Sequence, residues 1–131
     1  MKYVLLVIIL ILNSSCKNQE LKFNSEKWIS DKIGHNNHRI KMTKNLIESK
    51  LLIGKNLESA IELLGEEYGY LDSNLKNKIA FTIKESYGFD IDPKFTQFLV
   101  VEFNEDTKEI LNVKSTRSVD RRSFIEKILT E

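Results

Sequence analysis

The chain has 131 residues, with 20 basic and 19 acidic side chains and a formal net charge of +1. This length is enough for one domain. The balanced charge argues against nucleic acid as a partner, because phosphate binding requires a basic face, and it argues equally against a polybasic membrane-surface module. The single cysteine excludes an intramolecular disulfide.

Residues 1–15 have the layout of a secretory signal peptide. Lys2 supplies an early positive charge, and an apolar run from Val4 to Leu12 follows it. The run is too short to span a bilayer, which needs about 20 apolar residues. A buried core helix would not explain why the charge comes first, or why small polar residues and Cys16 follow at once.

The segment that ends at Cys16 resembles a bacterial lipobox. The commonest pattern has leucine three residues before the cysteine, whereas Asn13 stands there and Leu12 lies one residue further back. The resemblance implies cleavage before Cys16, acylation of its thiol and attachment to a lipid bilayer, which two or more acyl chains make stable. A secreted protein without lipid and an uncleaved anchor are the alternatives. In a cell with two membranes, Lys17 after the cysteine favours the outer membrane, facing the periplasm, because the best-known retention signal for the inner membrane is an aspartate there.

The remainder is expected to form a polar tether over residues 16–24 and a single domain over residues 25–131. Trp28 is expected to pack against the domain from an irregular or short helical lead-in, and residues 34–37 form a turn. From His38 to about Ser49, apolar residues at spacings of three and four predict a helix. Its expected inner face consists of Ile40, Thr43, Leu46 and Ile47, with Met42 at the edge.

The clearest local pattern predicts a helix from Leu57 to Leu64. Asn56 is a favourable N-cap residue, and Gly65 stands where a C-terminal cap belongs. The apolar residues between them recur at spacings of three and four, so they form one stripe. Before this helix, Gly54 is expected to adopt a backbone conformation that other residues resist.

Period-two alternation then predicts three strands. They cover Ile79 to about Tyr87, Phe95 to Phe103 and Glu109 to Lys114, and residues 104–108 form a hairpin turn. Short connections predict antiparallel pairing, with Leu111 and Val113 pointing inward. Residues 120–129 are expected to form an added C-terminal helix, whose apolar stripe docks on the domain or, alternatively, on a partner.

The predicted fold class is therefore α+β, a two-layer sandwich of two helices on a three-stranded antiparallel meander. The segments Leu52-Ile53-Gly54-Lys55 and Leu57 to Leu63-Leu64-Gly65 resemble the small lipoprotein domain of the SmpA/OmlA (BamE-like) type. The upstream residues Trp28, Asp31 and Arg39-Ile40-Lys41-Met42 also resemble uncharacterised lipoproteins with this domain. That fold is similar to the repeat unit of the secreted β-lactamase inhibitor protein. The resemblance covers about residues 25–115. Family members often have a proline soon after the Leu-Leu-Gly, whereas Glu66-Glu67-Tyr68 follows here.

The sequence offers no set of residues that predicts catalysis, a cofactor or a metal. His35 and His38 could begin a metal site, but zinc requires three or four ligands, so solvated loop histidines are favoured. Asp90 and Asp92 could contact calcium, but their spacing does not supply the several oxygen ligands that calcium requires. A turn is therefore favoured at these residues. The pair Glu66-Glu67 is expected to be solvated.

The sequence is compatible with three functions. The first is a non-enzymatic envelope lipoprotein that binds a protein partner or assists assembly, as the family resemblance implies. The second is a secreted-type inhibitor or ligand-binding module that uses the sheet face, since aromatic side chains anchor interfaces; its candidate residues are Tyr68, Tyr70, Tyr87 and Phe89. An enzyme is the least favoured of the three.

Overall fold

The computed structural model describes residues 19–70, 74–87 and 94–119. These ranges form an α+β fold. Its helices are α1 (Ser25–Ser30), α2 (His38–Glu48) and α3 (Leu57–Leu64), with a short 3₁₀ helix at Lys32–Gly34; its strands are β1 (Tyr68–Gly69), β2 (Lys78–Ser86), β3 (Phe95–Phe103) and β4 (Ile110–Val119). The predicted signal peptide, Cys16 and the predicted helix over residues 120–129 lie outside the described residues.

The strands form one antiparallel sheet in the order β1-β2-β3-β4. The sequence predicts three strands, and the fourth is the two-residue β1, where Tyr68 pairs with Phe81. Its pattern is too short for period-two alternation to reveal. The last strand, β4, continues to Val119 instead of ending at Lys114. Its polar residues 115–118 stay in the sheet because the first half of β3 pairs with them.

The helices pack on one face of this sheet. Buried side chains of the helices and of the link between α2 and α3 meet buried side chains of the strands in a continuous core, which includes Trp28, Met42, Leu46, Leu52, Leu64, Ile79, Phe81, Ile83, Leu99, Val101 and Ile110. Val100, between Leu99 and Val101, is also buried. Burial of β3 on both faces, which its apolar run predicts, is therefore confirmed.

The buried face of α2 differs from the prediction. Met42 is fully buried and Arg39 and Thr43 are buried, whereas Ile40 is exposed. The inner face is thus rotated toward Met42 and Arg39. The spacing of apolar residues cannot predict this rotation. The charged side chain of Arg39 can be buried because residues distant in the sequence accept its hydrogen bonds.

The prediction that Leu111 points inward is wrong. The pairing of β3 with β4 shifts between Glu102 and Phe103, so that Phe103 faces Ile110 while Glu102 faces Asn112. Leu111 is the extra residue of this bulge and is 53% exposed, whereas Val113 is buried as predicted. One inserted residue reverses the alternation of side chains along a strand.

The end of the predicted tether lies against the domain. The backbone N–H of Leu21 donates to the carbonyl of Lys41, and that of Phe23 donates to Oδ1 of Asn45 at 2.8 Å. Leu21 and Phe23 pack partly buried on the core. The predicted tether is therefore held on the domain from Leu21 onward.

The capped helix α3 is confirmed with its predicted bounds. Oδ1 of Asn56 accepts the N–H of Glu58 at 3.0 Å, and the N–H of Gly65 donates to the carbonyl of Ile61. The N–H of Leu57 also donates to the carbonyl of Lys108 in the β3–β4 hairpin. This bond places the start of α3 beside the hairpin.

Candidate functional site

A buried carboxylate organises the turn between α1 and α2. Asp31 is fully buried, and its two oxygens accept the backbone N–H groups of Asn36 at 2.6 Å and Arg39 at 3.0 Å. The N-cap residue of α2, Asn37, is left-handed and makes no cap with its own side chain. Asp31 therefore takes over this role and places its negative charge at the positive end of α2.

The side chain of Arg39 joins three elements. Its Nε donates to the carbonyl of Trp28 at 2.8 Å, and one terminal nitrogen, Nη1, donates to the carbonyl of Thr82 in β2 at 2.6 Å. The guanidinium carbon lies 5.3 Å from the centre of the Trp28 ring. Burial lowers the pKa of Arg39, and the negative charges of Asp31 and Glu67 counteract this effect. The cation thus fastens α1 and α2 to the outer edge of β2.

Beside this cluster lies an open groove between α1 and α3, which we call the α1–α3 groove. It has a volume of about 1050 Å³, and its lining includes Ile29, Arg39, Leu57, Ile61, Glu62 and Glu66. Ile29 is 41% exposed, and Leu57 and Ile61 are half-buried, so the bed of the groove presents apolar surface to solvent. Sites of this size and open shape can take several side chains of a ligand.

One bank of the groove is acidic. Glu58 and Glu62 on α3 and Glu66 just after it are exposed, and none of them forms an ion pair with another described residue. Glu67 differs, because its carboxylate lies 3.3 Å from the Nζ of Lys32. Glu66 and Glu67 are both exposed, as predicted, and Glu67 forms its ion pair with Lys32 at the surface.

Aromatic surface continues from the groove along the chain. Tyr68 is 37% and Tyr70 is 63% exposed, and their rings meet edge to face at 6.4 Å. Tyr68 also rests on Phe81 at 5.8 Å. Tyr87 is exposed, and its hydroxyl donates to Glu85, which raises the pKa of Tyr87. Phe89 lies outside the described residues.

The residues weighed for metal binding are not brought together. His35 is exposed, and the buried Nδ1 of His38 has no hydrogen-bond partner. Within residues 19–70, 74–87 and 94–119, no three histidine, cysteine or acidic side chains are grouped to hold a metal ion. Asp90 and Asp92 lie outside these ranges, as does Cys16.

Sequence reasoning missed Asp31 and Arg39 as the centre of this region. The available signal in the sequence was weak. An acidic residue shortly before a helix is a candidate cap, but Asp31 lies eight residues before Arg39, whose N–H it binds. The partner of Nη1 is 43 residues away, on β2. Nothing local in the sequence encodes such a contact.

The chain has no match among models of protein families, curated proteins or solved structures. None of the described helices has the length and apolar character needed to cross a bilayer.

Proposed function

We propose that the protein is a non-enzymatic envelope lipoprotein that binds a protein partner or assists its assembly, and that the α1–α3 groove is the binding surface. The observation that carries the proposal is this open groove, whose lining includes partly exposed apolar side chains. Exposed apolar patches rimmed by polar residues are typical of interaction sites. Ile29 contributes such surface at one side, and Tyr68 and Tyr70 follow the groove directly in the chain.

We further propose that Cys16 carries the lipid that anchors the domain to the membrane, with the outer membrane as the expected location. The lipobox resemblance supports this, and so does the absence of any other cysteine in the chain. Fractionation of cells that produce the wild type or Cys16→Ala tests it. The variant should lose firm membrane attachment, and equal retention of both proteins would contradict the anchor.

Crosslinking in cells, followed by purification of the tagged full chain, tests the binding function. Ile29→Glu places a charge on the apolar bed and should abolish the partner band. Ile53→Glu is the matched control, because Ile53 has the same 41% exposure and does not line the groove. A partner band that survives Ile29→Glu, or that is lost equally in both variants, would contradict the proposal.

A second candidate is an inhibitor or ligand-binding module that uses the sheet and its aromatic edge. The exposure of Tyr68 and Tyr70 favours it, because aromatic rings on the surface are frequent anchors of interfaces. Tyr70→Ala should then remove the partner while Ile29→Glu leaves it bound. The opposite result favours the groove.

We propose that residues 120–129 add a helix to a two-layer domain of the SmpA/OmlA (BamE-like) type, on the strength of their apolar spacing and the quoted Leu-Ile-Gly-Lys and Leu-Leu-Gly segments. A variant truncated after residue 119 should show a weaker helical signal in circular dichroism than the full chain. An unchanged spectrum would contradict the added helix.

A further inference from the structure

We infer that the α1–α3 groove takes a cationic amphipathic segment of the partner protein, in which apolar side chains alternate with lysine or arginine. This inference rests on the proposed function of the groove as a docking surface, and it specifies the chemistry of the occupant.

The apolar part of the occupant follows from the bed of the groove. Ile29 from α1 and Ile61 from α3 both line it. The end of α3 lies close to Ile29, since a Cβ added at Gly65 would be 3.5 Å from Cγ1 of Ile29, an ordinary van der Waals contact. The bed is therefore fixed by packing, and apolar side chains of a partner would remove its exposed surface from water.

The positive part of the occupant follows from the charges that the domain leaves uncompensated. Glu58 and Glu62 lie four residues apart on α3, and Glu66 lies just beyond the C-cap of this helix, Gly65. Like charges at this spacing on a helix repel each other, and none of the three forms an ion pair within the described part of the chain. A basic segment bound beside these glutamates would reduce the repulsion between Glu58 and Glu62.

Two of the three cations that line the groove, Lys32 and Arg39, already lie near a carboxylate, which argues against an anionic occupant. Lys32 pairs with Glu67. Arg39 is buried, donates to two backbone carbonyls and lies close to the charge of Asp31. Lys108 lies 5.4 Å from the centre of the Phe103 ring. Lys108 keeps its positive charge, but the three glutamates without an ion pair outnumber it, so the net uncompensated charge at the groove is negative.

Binding of two synthetic peptides to the full chain in a neutral detergent tests the inference. One peptide combines leucine with lysine and the other combines leucine with glutamate; fluorescence anisotropy reports binding, with detergent alone as the blank. The leucine–lysine peptide should bind, should bind more weakly as salt screens the charges, and should crosslink to a photoreactive residue at position 61. The leucine–glutamate peptide should not bind.

The double variant Glu62→Lys/Glu66→Lys should weaken binding of the leucine–lysine peptide about tenfold, as expected for two reversed surface charges. The matched control is Glu48→Lys/Glu105→Lys, which reverses two exposed glutamates outside the groove and should change the affinity by less than about twofold. Equal unfolding temperatures of the two double variants show that folding is not the cause. Equal affinities of both double variants, or binding of the leucine–glutamate peptide, would overturn the inference.

The same variants separate this inference from the proposed function. If Ile29→Glu abolishes the cellular partner band but Glu62→Lys/Glu66→Lys leaves it unchanged, the groove binds a partner and the charge assignment is wrong. If neither variant changes the band, both proposals fail.

Discussion

Replacement of Arg39 by methionine should destabilise the domain strongly. Methionine keeps much of the apolar stem but removes the donors to the carbonyls of Trp28 and Thr82. Hydrogen bonds that involve a charged group contribute about 1.5–3 kcal/mol each, and loss of the cation leaves the buried carboxylate of Asp31 without its opposite charge. The expected loss in the free energy of unfolding is about 3–5 kcal/mol.

Urea denaturation of the full chain in a neutral detergent measures this loss through the midpoint and slope of the transition. The unfolding temperature should fall by roughly 12–40 °C, since a domain of this size loses about 4–8 °C for each kcal/mol. Lys41→Met is the matched control, because Lys41 is exposed on the same helix and should change stability by less than about 0.5 kcal/mol. If Arg39→Met cost less than about 1 kcal/mol, the clamp described for Arg39 would be refuted.

Gly34→Ala should lower the free energy of unfolding in urea by about 3 kcal/mol or more, because the added Cβ would lie 2.2 Å from a backbone oxygen of β2. Gly54→Ala is the control, since Gly54 has a similar positive φ but no atom nearer than 3.9 Å, and it should cost only about 1–2 kcal/mol. Equal costs would contradict the close approach at Gly34. Asn56→Ala should lower the urea midpoint by an amount equivalent to about 1 kcal/mol without changing the slope, and an unchanged midpoint would show that the cap is not needed. Glu85→Gln should lower the pKa of Tyr87 toward its ordinary value in an ultraviolet titration, because the hydrogen bond to the carboxylate raises it. The stability that this hydrogen bond contributes is present below the ordinary tyrosine pKa and is lost as the pH rises through the raised pKa of Tyr87. An unchanged Tyr87 titration in the variant would argue against the hydrogen bond.

The elements that sequence reasoning recovered are those whose signals are local. The helix from Leu57 to Leu64 has its cap residue, its apolar stripe and its terminal glycine within ten consecutive positions. The alternation along β2 and β3 likewise depends on neighbouring residues. Such patterns reflect the periods of the helix and the strand directly.

The features that sequence reasoning missed depend on contacts across the fold. Leu111 is exposed because one residue is inserted in the pairing of β4 with β3, and no local pattern marks that insertion. Arg39 is buried because carbonyls of α1 and β2 accept its hydrogen bonds. The α1–α3 groove has the same origin, since its lining is drawn from separate helices, the loop after α3 and the hairpin.

Site-specific photocrosslinking in cells tests the central claim most directly. A photoreactive amino acid replaces Ile61 in the groove or, as the control, Ile53, which is exposed outside it. The account predicts a reproducible adduct with one envelope protein from position 61, none from position 53, and loss of the adduct when Ile29→Glu is added. Equal adducts from both positions, or no adduct from position 61, would contradict the claim that the groove is the surface by which this protein works.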